Sequence, residues 1–300
     1  MKNLIFACSL TTALWAGTAL TEEKPLQLAK LEPDAQSQHS AASELWQALN
    51  PKKLKLRSAA ALVVDQSGNV VYAKEVGEAR PIASITKLMT SMVILDSSLD
   101  LQERITITKE DRDLLRLTGS RLKYGATLTR EELVRLALMA SENRASNALA
   151  RTYPGGKQAF VEAMNDKARA LTMNNSHFAD PAGLDAGNIA SPGDIVKMVR
   201  AAWTYPLIRE ASTTRSIAVR PYKGRGELKF GNTNRLLRNK TWDIQLSKTG
   251  YINEAGRCLV MQAEIADQPL VIVLLNSFGK LTPYGDSNRI RKWIQQATEG

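Results

Sequence analysis

Three long apolar runs, "WDIQLSKTGYI", "RCLVMQAEI" and "PLVIVLLNS", follow one another in the last third of the chain, separated only by "NEAG" and "ADQ". Apolar, β-branched runs joined by such short polar turns predict three consecutive antiparallel strands. A second pair lies toward the other end, where "SAAALVVD" and "VVYAKE" flank "QSGN" and predict a hairpin. Two groups of strands thus lie at opposite ends of the chain.

The segment between them is helical in texture. Residues 84–95 are apolar on nearly every face, which predicts a helix enclosed by protein. Thr129 and Glu132 have capping-box spacing and open "EELVRLALMA". That helix stops at "SEN", and another starts at once with "RASNALAR". Beyond "PGG", helical spacing resumes in "KQAFVEAMNDKARAL", and Ser191, Pro192 and Asp194 signal the start of "IVKMVRAAW". "SIAVRPYKGRGELKF" predicts a hairpin over a Gly-rich turn, and "DSNRIRKWIQQA" a short closing amphipathic helix. With strands at both ends and helices between, the pattern is one α/β unit with a helical region inserted in a sheet.

The first residues, "MKNLIFACSLTTALWAGTAL", fit a secretory signal peptide over 1–20 better than a membrane span. The apolar run is short and broken by Ser9, Thr11 and Thr12; an uncleaved anchor is the alternative. Residues 21–55 are polar with two prolines near their start, and are expected to form a flexible leader with a short helix around Leu45 to Leu49; the domain proper is expected over 56–300. Cys8 would leave with the signal, so the mature chain would keep Cys258 alone and no internal disulfide, which suits a bacterial periplasm. Cys258, flanked by Leu259 and Val260, is expected to be a buried strand thiol. The net charge of +10 would favour polyanions such as an acidic cell-wall polymer, but export argues against nucleic acid.

The chain has 2 histidines, His39 in the leader and His177 in a polar loop, and no cysteine cluster. That is too little for a histidine-rich metal site or for a triad resting on more than His177. Proton transfer in an enzyme of this composition falls to another group, and a buried lysine can serve. "RPIASITKLM" sets Ser84 and Lys87 at i and i+3, so a helix would place both on one face; Pro81 is expected to fix the helix start just upstream, leaving Ser84 in the first turn where free N–H groups favour a developing anion. Ser-x-x-Lys alone is weak, because Ser120/Lys123 and Ser277/Lys280 repeat it in a polar loop and at a strand end. "SEN", Ser141 to Asn143, breaks two helices; such a break either projects a hydroxyl and an amide into a cleft or simply caps them. "KTG", Lys248 to Gly250, lies within a predicted strand, where an interior glycine marks close approach of a ligand or backbone. A solvent-facing lysine is the plainer alternative.

Taken in order, Ser-x-x-Lys, Ser-x-Asn and Lys-Thr-Gly, about 57 and about 105 residues apart, form the motif set of penicillin-recognising serine enzymes. "RPIASITKLMT", "LALMASENRASNALA", "YPGGKQAFVEAMN", "MNNSHFADPAGL" and "IQLSKTGY" further resemble the D-alanyl-D-alanine carboxypeptidase and endopeptidase group of low-molecular-mass penicillin-binding proteins, over roughly residues 57–298. The resemblance implies a β-lactamase/transpeptidase-like α/β fold: a five-stranded antiparallel sheet covered by helices on both faces. It implies an acyl-enzyme at Ser84, with Lys87 as base and Ser141 relaying the proton. Asn143 would hold the substrate backbone. Lys248 would raise the local potential, helping keep Lys87 neutral and attracting a carboxylate that Thr249 contacts, and Gly250 would leave the strand edge open. The N–H groups of Ser84 and Tyr251 would form the oxyanion hole. No metal or cofactor is implied. The implied partners are peptidoglycan stem peptides and β-lactam antibiotics, with at most peripheral membrane contact.

Within that group, only 50 residues follow Gly250, taken up by two strands and a short helix. The expectation is therefore an endopeptidase cutting D-Ala–diaminopimelate cross-links, with D-alanyl-D-alanine carboxypeptidase activity as the alternative. A β-lactamase would need a deacylating Glu-x-x-Leu-Asn loop, and "EAMND" at Glu162 does not match it. A non-catalytic wall-binding protein would be expected to lose motif residues, and all are present.

Overall fold

The computed structural model describes residues 45–298. The expected signal peptide, Cys8, His39 and most of the expected leader lie outside the described residues. Both ends of the described chain join one sheet. Its strands are β1 (Ser58–Asp65), β2 (Val70–Lys74), β3 (Asp243–Ile252), β4 (Gly256–Ile265) and β5 (Gln268–Ser277), in the order β3-β4-β5-β1-β2. Every neighbouring pair is antiparallel, and β1 meets β5 in the register Ser58↔Ser277 to Asp65↔Leu270. The two separate strand groups thus become one five-stranded sheet, as expected.

Alternation along β5 explains why its sequence is apolar without a break. Val271, Val273 and Leu275 face one core with Val260 and Leu62, while Leu270, Ile272 and Leu274 face another with Leu259 and Met261. Successive strand side chains point to opposite faces, so a central strand covered on both sides needs apolar residues throughout. The second core is closed by Ile290, Trp293 and Ile294 of the C-terminal helix. This helix runs over Thr282–Thr298, starting earlier than the sequence pattern indicates.

The other face carries the inserted helical region. Its helices are α1 (Lys87–Asp96), α2 (Arg130–Met139), α3 (Asn143–Arg151), α4 (Gly156–Ala170), α5 (Pro192–Trp203) and α6 (Pro206–Thr213), with Thr282–Thr298 as α7. In α1 every residue from Lys87 to Ile94 is buried, which accounts for a sequence apolar on nearly every face. The capping box of α2 is present in both halves: Glu132 N–H donates to Thr129 Oγ1 at 3.1 Å, and Thr129 N–H to Glu132 Oε2 at 2.8 Å. The predicted hairpin pairs Ser216–Val219 with Leu228–Gly231.

Two expectations need correction. Residues 45–55 are not all a loose leader: Leu49 and Leu54 are buried in the second core, and Trp46 Nε1 donates to Asp65 Oδ2 at 2.7 Å. Burying these side chains offsets the entropy of ordering the segment. Pro81 does not sit at a helix start either. Arg80–Pro81 bridges Ile189–Ala190 in an extended conformation, and a 3-10 turn, Ala83–Thr86, leads into α1. Among the described residues, no helix is long and apolar enough to cross a membrane.

Candidate active site

The structure brings together residues from three remote parts of the sequence in one cleft of about 370 Å³, lined by Ser84, Ser141, Asn143, Thr249, Gly250 and Tyr251 among others. Ser84 lies in the 3-10 turn, half-buried, and Lys87 is the first residue of α1. Ala83, just before the serine, has φ of 48°, a left-handed conformation that costs a non-glycine residue of order 1 kcal/mol or more. Gly183 stacks against this bend. Its φ is 75°, and a Cβ there would lie 1.9 Å from the Ala83 carbonyl oxygen, so only glycine fits.

Lys87 is fully buried, and its Nζ has three polar neighbours: Ser84 Oγ at 2.8 Å, Asn143 Oδ1 at 2.8 Å and the Ala182 carbonyl at 2.6 Å. Two of these can only accept hydrogen bonds. A neutral amine has two hydrogens, which those acceptors take. Its lone pair is then left facing Ser84 Oγ, the geometry of a base. Burial pushes the Lys87 pKa down to about 8, against the pull of Asp180, Glu142 and Asp113, whose charges favour the ammonium.

The acceptors are held in turn. Asp180 Oδ1 accepts from the N–H groups of Ala182 and Gly183 at 2.6 and 2.8 Å, and Oδ2 from Asp185 N–H and Asn188 Nδ2 at 2.6 Å each. This knot fixes the loop that presents the Ala182 carbonyl. Asn143 Nδ2 donates to Thr118 Oγ1 at 2.9 Å, and Thr118 Oγ1 donates to Asp113 Oδ2 at 2.7 Å. The chain of donors leaves the Asn143 amide one orientation, with its oxygen toward Lys87. Asn143 still has one N–H and one lone pair for a substrate.

Ser141 occupies the break between α2 and α3, with φ of 57°. It does not cap α3: Glu142 does, accepting from Arg144 N–H. Ser141 Oγ instead receives a hydrogen bond from Lys248 Nζ at 2.8 Å, and Lys248 also donates to the Thr249 carbonyl at 2.9 Å. Lys248 is buried at 1% exposure, not a solvent-facing strand lysine. Burial drives its pKa well below the ordinary lysine value, and the Lys87 charge lowers it further. Burial is the first cause for both lysines, and the pair holds one proton more readily than two.

Gly250 lies on the edge strand β3, where a Cβ would sit 2.9 Å from the Ile82 carbonyl oxygen and 3.1 Å from Ser84 N. Its lack of a side chain lets the strand edge pass the nucleophile. Thr249 Oγ1 lies 2.6 Å from Thr233 Oγ1, a partner with no motif of its own in the sequence. Cys258 is a buried strand thiol, pushed up to about 11 by burial. His177 lines a different pocket, with Glu162 and Asn165. No group of three or more metal-ligating side chains is found among the described residues.

The family model of D-alanyl-D-alanine carboxypeptidases matches residues 47–279. The chain belongs to that family. Among its relatives, a D-alanyl-D-alanine endopeptidase of Pseudomonas aeruginosa is 46% identical over 246 residues, 82% of this chain and 79% of the relative. A D-alanyl-D-alanine endopeptidase of Escherichia coli is 42% identical, over 80% of this chain and 78% of the relative. Among solved structures, a DD-transpeptidase of Streptomyces K15, as an S216A mutant, superposes with a TM-score of 0.75 at 25% identity, over 81% of this chain and all of that one. A D-alanyl-D-alanine carboxypeptidase of Mycobacterium tuberculosis gives a TM-score of 0.72 at 28% identity, over 80% of this chain and 91% of that one.

Proposed function

We propose that this family member is a serine D,D-endopeptidase that hydrolyses D-Ala–diaminopimelate cross-links of peptidoglycan through an acyl-enzyme at Ser84. The observation that carries the reading is the Ser84–Lys87 pair, 2.8 Å apart, with the other two neighbours of a buried lysine able only to accept. Ser84 Oγ attacks the D-alanyl carbonyl carbon while its proton passes to Lys87 Nζ. The tetrahedral oxyanion is held by the N–H groups of Ser84 and Tyr251. As the amide C–N bond breaks, the leaving amine takes a proton through Ser141, which Lys248 orients. Thr249 and Lys248 hold the carboxylate beside the scissile bond. Water, deprotonated by the returning base, then releases the acyl group.

Support for the cross-link as substrate comes from the two endopeptidase relatives, at 46% and 42% identity. The same site would also release terminal D-alanine, a second reading favoured by the carboxypeptidase description of the family. β-Lactams present a strained amide and a carboxylate in the same relation, so they should acylate Ser84. The reading puts the mature enzyme in the periplasm, with the leader sequence of residues 1–20 as its support.

Incubation with a fluorescent penicillin should label Ser84, and Ser84→Ala should fold without labelling. Digestion of purified sacculi should convert dimeric muropeptides to monomers. Full labelling of the alanine variant, or release of D-alanine while dimers survive, would overturn the corresponding half of the proposal.

A further inference from the structure

The cleft continues past Thr249, and its continuation is cationic. Arg235, Arg257 and Lys280 line it together with Tyr251 and Tyr284, and no aspartate or glutamate does. Arg257 is half-buried while Arg235 and Lys280 are exposed; half-buried Arg116, by contrast, meets Glu254 at 2.8 Å. Among the described residues, none of the three cleft cations takes part in an ion pair. Arg257 is held in place instead by stacking on the Tyr251 ring, 3.7 Å from its centroid.

The position of these charges follows from a contiguous set of contacts. Thr249 Oγ1 meets Thr233 Oγ1 at 2.6 Å, and Tyr284 Oη donates to the Thr233 carbonyl at 3.0 Å. Burial raises the Tyr284 phenol above its ordinary pKa, while the Arg235 and Arg257 charges act on it in the opposite direction. The row therefore runs from Thr249 outward, and, because the carboxylate assigned above to Thr249 belongs to the departing residue, the same assignment puts the row toward the departing amine. A terminal D-alanine has one carboxylate, and Thr249 with Lys248 accounts for it. The peptide released from a cross-link has more: beyond the diaminopimelate carboxylate at the scissile bond lie those of its glutamate and its own chain end.

We propose that Arg235, Arg257 and Lys280 form a second anion subsite that binds the outer carboxylates of the released stem peptide, and so select cross-links over terminal D-alanine. The proposal rests on the D,D-peptidase reading above and assigns its substrate preference to these residues. Three unpaired cations along one wall also attract an acidic strand before it docks.

The test compares a purified dimeric muropeptide with a monomeric pentapeptide muropeptide, for the wild-type protein and for a variant carrying Arg235→Gln, Arg257→Gln and Lys280→Gln. The ratio of kcat/KM for the dimer to that for the pentapeptide should fall roughly tenfold or more, mainly through KM of the dimer. Arg235→Lys with Arg257→Lys should restore most of it. An independent measurement needs no variant. The wild-type KM for the dimer should rise more steeply with salt than that for the pentapeptide, because the Debye length shrinks from about 10 Å at 0.1 M to about 3 Å at 1 M. An unchanged ratio, or equal salt slopes, would overturn the subsite. A wild-type protein that leaves dimers uncut would overturn the endopeptidase reading itself, and the subsite with it.

Discussion

Lys87 and Lys248 are both buried and both face a serine, yet their surroundings differ. Lys87, on the helical wall of the cleft, has two obligate acceptors beside it and feels the charges of Asp180, Glu142 and Asp113. Lys248, on the strand wall, has the Ser141 hydroxyl and one carbonyl, and the charge acting on it is that of Lys87. Burial alone would push either lysine far down. The carboxylates around Lys87 pull it back to about 8, close enough to neutral pH to take a proton and to release one. The difference separates a group that must exchange a proton from one that must chiefly orient a hydroxyl.

The largest break in that comparison should come from Lys87→Arg. A guanidinium stays charged at any usable pH and cannot take the serine proton. Penicillin acylation should fall by roughly 10²–10⁴-fold, the range for losing a general base. Stopped-flow acylation of the folded variant, checked by its thermal melt, measures this. An arginine variant within tenfold of wild type would remove Lys87 from the role.

A smaller effect should follow from Thr118→Val. Without the hydroxyl, the Asn143 NH₂ loses the acceptor that Asp113 orients and can turn toward Lys87. Losing one such hydrogen bond is worth about 1 kcal/mol, so acylation should slow by roughly five- to tenfold. Its pH profile should shift as well, because the lysine loses an acceptor. Thr118→Ser should restore both. A slower rate with an unmoved profile would mean that Thr118 serves only the loop.

These second-layer groups show where sequence reading runs out. Ser84 and Lys87 were legible because helical spacing and an all-round apolar segment coincide there. The same pattern at Ser120 and Lys123 lacks that setting. Ser120 bonds Leu122 within its own loop, and Lys123 is exposed. At Ser277 the hydroxyl is spent on Ser58, 2.7 Å away, although Lys280 reaches the cleft by another route. The five strands were legible because a doubly covered strand must be apolar throughout. The Ala182 carbonyl was not, because a backbone oxygen 95 residues from its lysine leaves no side-chain signature. Thr118 lies 25 residues from Asn143 in a polar loop, and its spacing carries no period. The packed segment at residues 45–55 was hidden for a different reason: its few apolar residues sit among polar ones and find their core only in the folded sheet.

The finest test of the comparison is Glu142→Gln, because it changes one charge near Lys87 and keeps a side-chain oxygen to cap α3. Glu142 is buried at 8% exposure, and its negative charge favours protonated Lys87. Removing that charge lowers the lysine pKa further. Acylation needs neutral Lys87, so the wild-type rate should rise with pH through an inflection near 8. In the variant the inflection should move to lower pH, because one of the charges that favour the ammonium is gone. At pH 7 the variant should then acylate faster than wild type, while the two rates meet on the alkaline plateau. Second-order acylation rates across the inflection would measure both. An inflection that moves upward would mean that Glu142 does not act on Lys87 as a charge. An inflection that stays put would mean that the Glu142 charge does not reach Lys87, and that burial with Asp180 and Asp113 sets the base.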